Sequence, residues 1–150
     1  MTGIEGTPPS PRTGEDRWEQ LENVGPFTDY VGPFFVRRTG LAAGEPLRLG
    51  FRIERHHCNP RLVCHGGMLA TFVDLCLARG LREADGIAGS VPTINMTLDY
   101  LAPAPLDSWI ESRISVMRRT AKMGFLEVIL HCAGEPVVRG SGIYKRARPF

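Results

Sequence analysis

Residues 65–78, HGGMLATFVDLCLA, constrain the fold more than any other stretch. They read as the body of a helix from about Gly66 to Arg82, apolar at nearly every position. Such a helix has to be covered, and the segments around it alternate as strands do. LRLGFRIER (47–55) sets Leu47, Leu49, Phe51 and Ile53 on one face. TINMTLDYL (93–101) sets Ile94, Met96, Leu98 and Tyr100 on one face and Thr93, Asn95, Thr97 and Asp99 on the other. Three further strands follow, SWIESRISVMRR, FLEVILHC and VVRGSGIYKR, joined by the short turns TAKMG and AGEP. Links of that length make these three antiparallel. The expected class is α+β, one buried helix against a sheet.

Upstream, GEDRWEQLENV (14–24) reads as a short amphipathic helix, and FTDYVGPFFVRR (27–38) as aromatic and β-prone. Residues 1–14, rich in Pro, Gly, Ser and Thr, are expected to be a disordered tail, with 15–150 forming a single domain. A chain of 150 residues with 43% hydrophobic residues and a net charge of +2 suits one soluble domain. Its basic residues are mixed with acidic ones, which argues against nucleic acid as a partner. No apolar run reaches the roughly 18 residues of a membrane span. The N-terminus lacks the basic start and apolar centre of a signal peptide, so a cytoplasmic location is expected. Cys58, Cys64, Cys76 and Cys132 form no CxxC pair and read as reduced thiols. The cluster of His56, His57 and Cys58 with Cys64 and His65 matches no common zinc spacing, so no metal is expected.

One carboxylate, Asp74, stands in the apolar helix. It shares a side with Gly67, Ala70, Thr71, Leu77 and Ala78, most of them small; Met68, Leu69, Phe72, Leu75 and Cys76 are expected to face the sheet. Buried charges are rare unless paired or used. Asp74 could therefore pair with an arginine, cap a neighbouring element, or act on something that approaches the small side. The start of the helix favours the last. Gly66 and Gly67 are expected to expose unpaired N–H groups at the positive end of the helix dipole, a cradle for a developing oxyanion. His65 and Asn59 add polar groups at the same mouth. Asp74 lies eight residues beyond Gly66, about 12 Å along the axis. A general base works at about 3 Å or through one water. One helix cannot serve both roles at one carbonyl. Two antiparallel copies can, so an obligate homodimer with two shared sites is expected.

The run NPRLVCHGGMLATFVD (59–74) resembles the hotdog-fold acyl-CoA thioesterases, of the phenylacetate-pathway (PaaI-type) branch. Asn59, Pro60, His65, Gly66, Gly67 and Asp74 match that pattern in kind and spacing, and TINMTLDYLAPAP resembles the family's next strand. The likeness covers about residues 30–147. It implies a sheet wrapped round one helix, with dimers in a continuous sheet that pair into tetramers. It implies an acyl-CoA substrate and no separate cofactor, since coenzyme A belongs to the substrate. By the same likeness Gly66 N–H would polarise the thioester carbonyl, and Asn59 and His65 would hold the thioester or shape the turn. Asp74 of the other subunit would activate water or attack directly, and Thr93 would help to place it. Leu62 stands where many relatives have Gly.

Weaker candidates are Gly67 for substrate, Arg118, Arg119 and Lys122 for the coenzyme A phosphates, and the basic tail YKRARPF. Phe27, Tyr30, Phe34 and Phe35 could line an aromatic or medium-chain acyl pocket. Two other functions remain at this stage: a non-catalytic acyl-CoA binder, against which Asp74 speaks, and a hydratase or dehydratase, which would want a His and an Asp close together.

Overall fold

The computed structural model describes residues 8–9 and 17–146. The expected disordered tail falls outside them except for residues 8 and 9. The basic tail is described only to Arg146.

The long helix, α2, spans Gly66–Asp85. It runs past the expected Arg82 because nothing in Glu83, Ala84 or Asp85 breaks it. Gly86 ends it in the left-handed conformation, φ 63, where glycine carries no Cβ penalty, and Ile87 N–H closes back on the Arg82 carbonyl at 3.0 Å. Among the described residues seven strands cover it: β1 Glu19–Gln20, β2 Phe35–Arg37, β3 Arg48–Arg52, β4 Thr93–Tyr100, β5 Trp109–Arg119, β6 Met123–Cys132 and β7 Glu135–Lys145. They form one sheet in the order β1-β2-β3-β5-β6-β7-β4, every pairing antiparallel. β4 thus follows the helix in sequence but occupies the sheet edge beyond β7.

The core lies between α2 and the inner sheet face. Leu47, Leu49, Phe51 and Ile53 are buried there as their alternation requires, with Ile110, Ile114, Leu126, Val128, Leu130 and Val138. Phe72 meets Phe51 at 4.7 Å and Phe34 at 5.6 Å between ring centroids. Burying one such side chain is worth about 1.5–3 kcal/mol. The helix face differs from expectation at one pair: Leu77 is buried and Leu75 only half-buried. Leu77 follows core residue Val73 by one turn, whereas Leu75 follows Thr71 on the open side. At Gly140 of β7 a Cβ would stand 2.8 Å from Val73 Cγ1, so the helix seats closely there because the strand carries no side chain.

The upstream segments exchange roles. The expected helix at 14–24 is, where described, an extended run whose β1 pairs Glu19 with Val36 and Gln20 with Phe35. Trp18 packs edge-on against Trp109 on the outer face at 5.1 Å. A helix of about three turns pays a nucleation cost that sheet pairing and this contact avoid. Of the β-prone segment 27–38, Phe35–Arg37 is strand β2, but its first part belongs to helix α1, Pro26–Val31, with Pro26 at its first position and Asp29 accepting from Val24 N–H. Among the described residues no helix is long and apolar enough to cross a membrane.

The far end of α2 is tied down by charge. The Asp85 side chain is 1% exposed and takes Arg146 at 2.7 Å and Arg119 at 2.9 Å. Burial works against its charge, but these two arginines outweigh it and hold its pKa below the ordinary 3.8. The contribution is present above that value and is lost as the pH falls below it. Asp85→Asn should lower stability by about 2 kcal/mol at pH 7 in urea unfolding, and an unchanged midpoint would contradict this.

Candidate active site

The site begins at the turn that launches α2. A 3-10 turn at Arg55–His57 leads to Cys58, which pairs across an antiparallel bridge with Cys64. Between them the chain reverses. Asn59 O𝛿1 accepts from Arg61 N–H at 2.9 Å, and Asn59 N–H donates to the Val63 carbonyl. Asn59 therefore shapes the turn with its own side chain. Leu62 adopts φ 58 in that turn, the left-handed region that glycine occupies freely and leucine at a cost.

His65 is the N-cap of α2. Its Nδ1 accepts from Gly67 N–H at 2.8 Å, and its carbonyl accepts from Met68 and Leu69. Two free glycine donors were expected; Gly67 N–H is taken by this cap. Gly66 N–H has no acceptor among the described residues. Tyr100, at the end of β4, lies over Gly66 and donates its hydroxyl to the Gly66 carbonyl at 2.8 Å.

Beside this mouth lies a cavity of about 440 Å³, lined by Tyr30, Val31, His56, His57, His65, Gly67, Met68 and Thr71. His57 is buried, accepts from Glu54 N–H through Nδ1 and donates through Nε2 to the Val31 carbonyl. Burial holds its pKa below the ordinary value, so it forms a neutral wall. Of the four aromatics expected here, Tyr30 lines the cavity. Phe34 is in the core, Phe35 packs on Trp109 across the sheet, and Phe27 is 63% exposed. A larger groove, about 680 Å³, runs along the outer sheet face at Trp109, Glu111, Arg113 and His131, away from α2.

Asp74 stands two turns further along α2, half-buried, facing β4 and β7. No arginine pairs with it among the described residues. Its Oδ1 accepts from Thr93 Oγ1 at 2.8 Å and from Tyr144 OH at 2.7 Å. Strict alternation puts Thr93 on the face opposite Met96. A bulge between Thr93 and Asn95 overturns that: Thr93 pairs with Tyr144, while Met96 pairs with Gly142, so both face the helix. Bulges near sites re-aim side chains in this way.

The basic hairpin lies elsewhere. Arg119 is bound to Asp85 and the Ala84 carbonyl at the C-terminal end of α2. Arg118 borders a neighbouring groove with Glu45 and Met117, and Lys122 is exposed in the turn. Along α2 this end is about 28 Å from Gly66 and about 16 Å from Asp74. Among the described residues no cluster of three or more His, Cys, Asp or Glu could hold a metal, and all four cysteines are free thiols.

Comparison with known proteins gives concordant results. The family model of the thioesterase superfamily matches residues 63–138. A Pseudomonas aeruginosa protein, PA0474, that carries an esterase name is 28% identical over 127 residues, 85% of this chain and 92% of its own. Mouse acyl-coenzyme A thioesterase 13 is 28% identical over 89 residues, 59% of this chain and 63% of its own. Among solved structures, S. sahachiroi AziG superposes with a TM-score of 0.72 at 21% identity, covering 85% of this chain and all (100%) of that one. A variant of the phenylacetic acid degradation protein PaaI of Thermus thermophilus gives 0.67 at 20%, covering 82% and 100%. The fold is therefore the hotdog fold.

Leu62→Gly should relieve the left-handed strain and raise stability by about 0.5–1 kcal/mol after the greater flexibility of unfolded glycine is subtracted. A lower unfolding midpoint in that variant would contradict the strain.

Proposed function

The chain belongs to the thioesterase superfamily and is a thioester hydrolase; on that premise we propose that it hydrolyses an acyl-coenzyme A to the free acid and coenzyme A, with Gly66 and Asp74 as its central groups. The observation that carries the assignment of roles is the capped helix start. With Gly67 N–H taken by His65, the free donor at the positive end of α2 is Gly66 N–H. It would bind the carbonyl oxygen as it gains charge. Asp74 keeps Oδ2 clear while Oδ1 is held, so Oδ2 would accept the proton of an attacking water or attack the carbonyl itself. In the water route the C–O bond forms as the proton moves to Asp74. The C–S bond then breaks and the proton passes to the leaving thiolate. Asn59 and His65 act through the turn and the cap, Thr93 through the carboxylate, and Gly67 borders the substrate.

The separation of Gly66 and Asp74 along one rigid helix, about 12 Å, supports a homodimer in which each copy lends its helix start to the other's carboxylate. β4 supports the same reading. It is one of the two sheet edges among the described residues, and it leaves Ile94 at 52% and Tyr100 at 55% exposed, where a second β4 could continue the sheet. Pairing of dimers into tetramers is proposed from family likeness, as is a cytoplasmic location, which suits a coenzyme A substrate.

The cavity walled by Tyr30, Val31 and Met68 supports a small, aromatic or medium-chain acyl group. Arg118 and Lys122, with Arg119 fixed by Asp85, are proposed to meet the coenzyme A phosphates. Their distance from Asp74 is within the order of an extended pantetheine arm.

Thiol release from a panel of acyl-coenzyme A esters tests this. Asp74→Asn and Gly66→Pro should each lower kcat by about 10²-fold or more with the fold intact. Proline suits the first position of a helix, and His65 at φ −61, ψ 138 already has the backbone that precedes one. That substitution removes the N–H and sets a Cβ 3.4 Å from the Tyr100 ring, a van der Waals contact. No release from any ester would instead favour a non-catalytic acyl-coenzyme A binder, and full turnover in Asp74→Asn would remove Asp74 from the reaction.

A further inference from the structure

Asp74 is held by two hydroxyls, and the structure shows how the second came to be there. Tyr144 is the last inward residue of β7, following Val138, Gly140 and Gly142 on the same face. A Cβ on Gly142 would lie 2.6 Å from Tyr144 Cε2 and 2.9 Å from Leu77 Cδ1. The missing side chain is thus the space in which the tyrosine ring lies. The β4 bulge sets Thr93 opposite Tyr144, so both hydroxyls reach the same oxygen. Oδ2 receives no hydrogen bond among the described residues.

We propose that Tyr144 is a positioning residue for the reaction: with Thr93 it clamps Asp74 through Oδ1 and fixes Oδ2 as the reacting oxygen. This rests on the catalytic reading of Asp74. A phenylalanine would fill the same space, so packing does not explain the hydroxyl. Burial, and then the Asp74 charge beside it, hold the Tyr144 pKa well above its ordinary value, so it stays an O–H donor throughout the working range. Cys76, nearby on α2, is likewise pushed up by burial. β5 and β6 present apolar Ile114 and Leu126 to the helix. In a shared site the titratable groups at the second copy's helix start would be His65, its Nδ1 already engaged by Gly67, with His56, His57 and Tyr100 beside it.

Tyr144→Phe frees the carboxylate to rotate. The expected result is a fall in kcat of roughly tenfold at unchanged KM. An O–H donor favours the charged carboxylate, so its loss should also move the acid limb of the kcat profile upward. Gly142→Ala, which drives the ring from its place, should change both in the same direction. Adding it to Tyr144→Phe should cost no further activity. A Tyr144→Phe enzyme with wild-type kcat and acid limb overturns the inference, while a dead Asp74→Asn enzyme leaves the assigned function standing. A fall in kcat with an unmoved acid limb and a lowered unfolding midpoint shows a structural role only, and also overturns it. If Asp74→Asn itself is fully active, the underlying reading fails first.

Discussion

A helix is a rigid ruler, and the two groups proposed to do the chemistry, Gly66 N–H and Asp74, lie on one ruler about 12 Å apart. Everything else in the structure fixes how that ruler is held. The stripe from Met68 through Phe72, Val73, Cys76, Leu77 and Leu81 is buried against the sheet and sets the helix rotation. Asp74 is thereby turned toward β4 and β7 and not toward solvent. The His65 cap fixes where the helix begins and leaves one backbone donor free. At the other end Gly86 and the Asp85 ion pairs stop it and anchor it to the β5–β6 turn.

Local rules are broken around the proposed site. Leu62 is left-handed in the turn that carries Asn59. β4 has an irregular register at Thr93, and its large apolar side chains at Ile94 and Tyr100 stay open on an unpaired edge. A carboxylate sits half-buried between a helix and a sheet. Each costs stability on its own, and such costs gather at functional sites. Register also shifts away from the proposed site, between Val116 and Arg118 where β5 pairs with β6 and between Leu130 and His131 where β6 pairs with β7.

The sequence made the helix, the four later strands and the inner face of β3 legible because long stretches of one period leave little choice. It misread residues 17–31. There a short segment is decided by contacts far away in the chain, Trp18 with Trp109 and β1 with β2, and no local pattern contains them. At the site, the helix start, Asn59 and Asp74 could be picked out from kind and spacing. Gly67 could not be seen as already occupied, because that depends on the rotamer of His65. Thr93 was assigned to the wrong face, since one inserted residue inverts the parity of a strand. Tyr144 and Tyr100 were missed. Tyr144 did leave a signal: it is in phase with two inward glycines, and a buried phenol needs an acceptor, of which α2 offers one carboxylate in its middle.

The central claim, that one copy supplies the oxyanion donor and another the carboxylate, can be tested by mixing inactive subunits. Asp74→Asn and Gly66→Pro proteins, each purified, would be exchanged and assayed for thiol release. In a shared-site dimer the mixed species has one site carrying both lesions and one carrying neither. Random exchange should then restore about one quarter of wild-type activity. Exchange verified by mass, with no activity regained, would contradict the account.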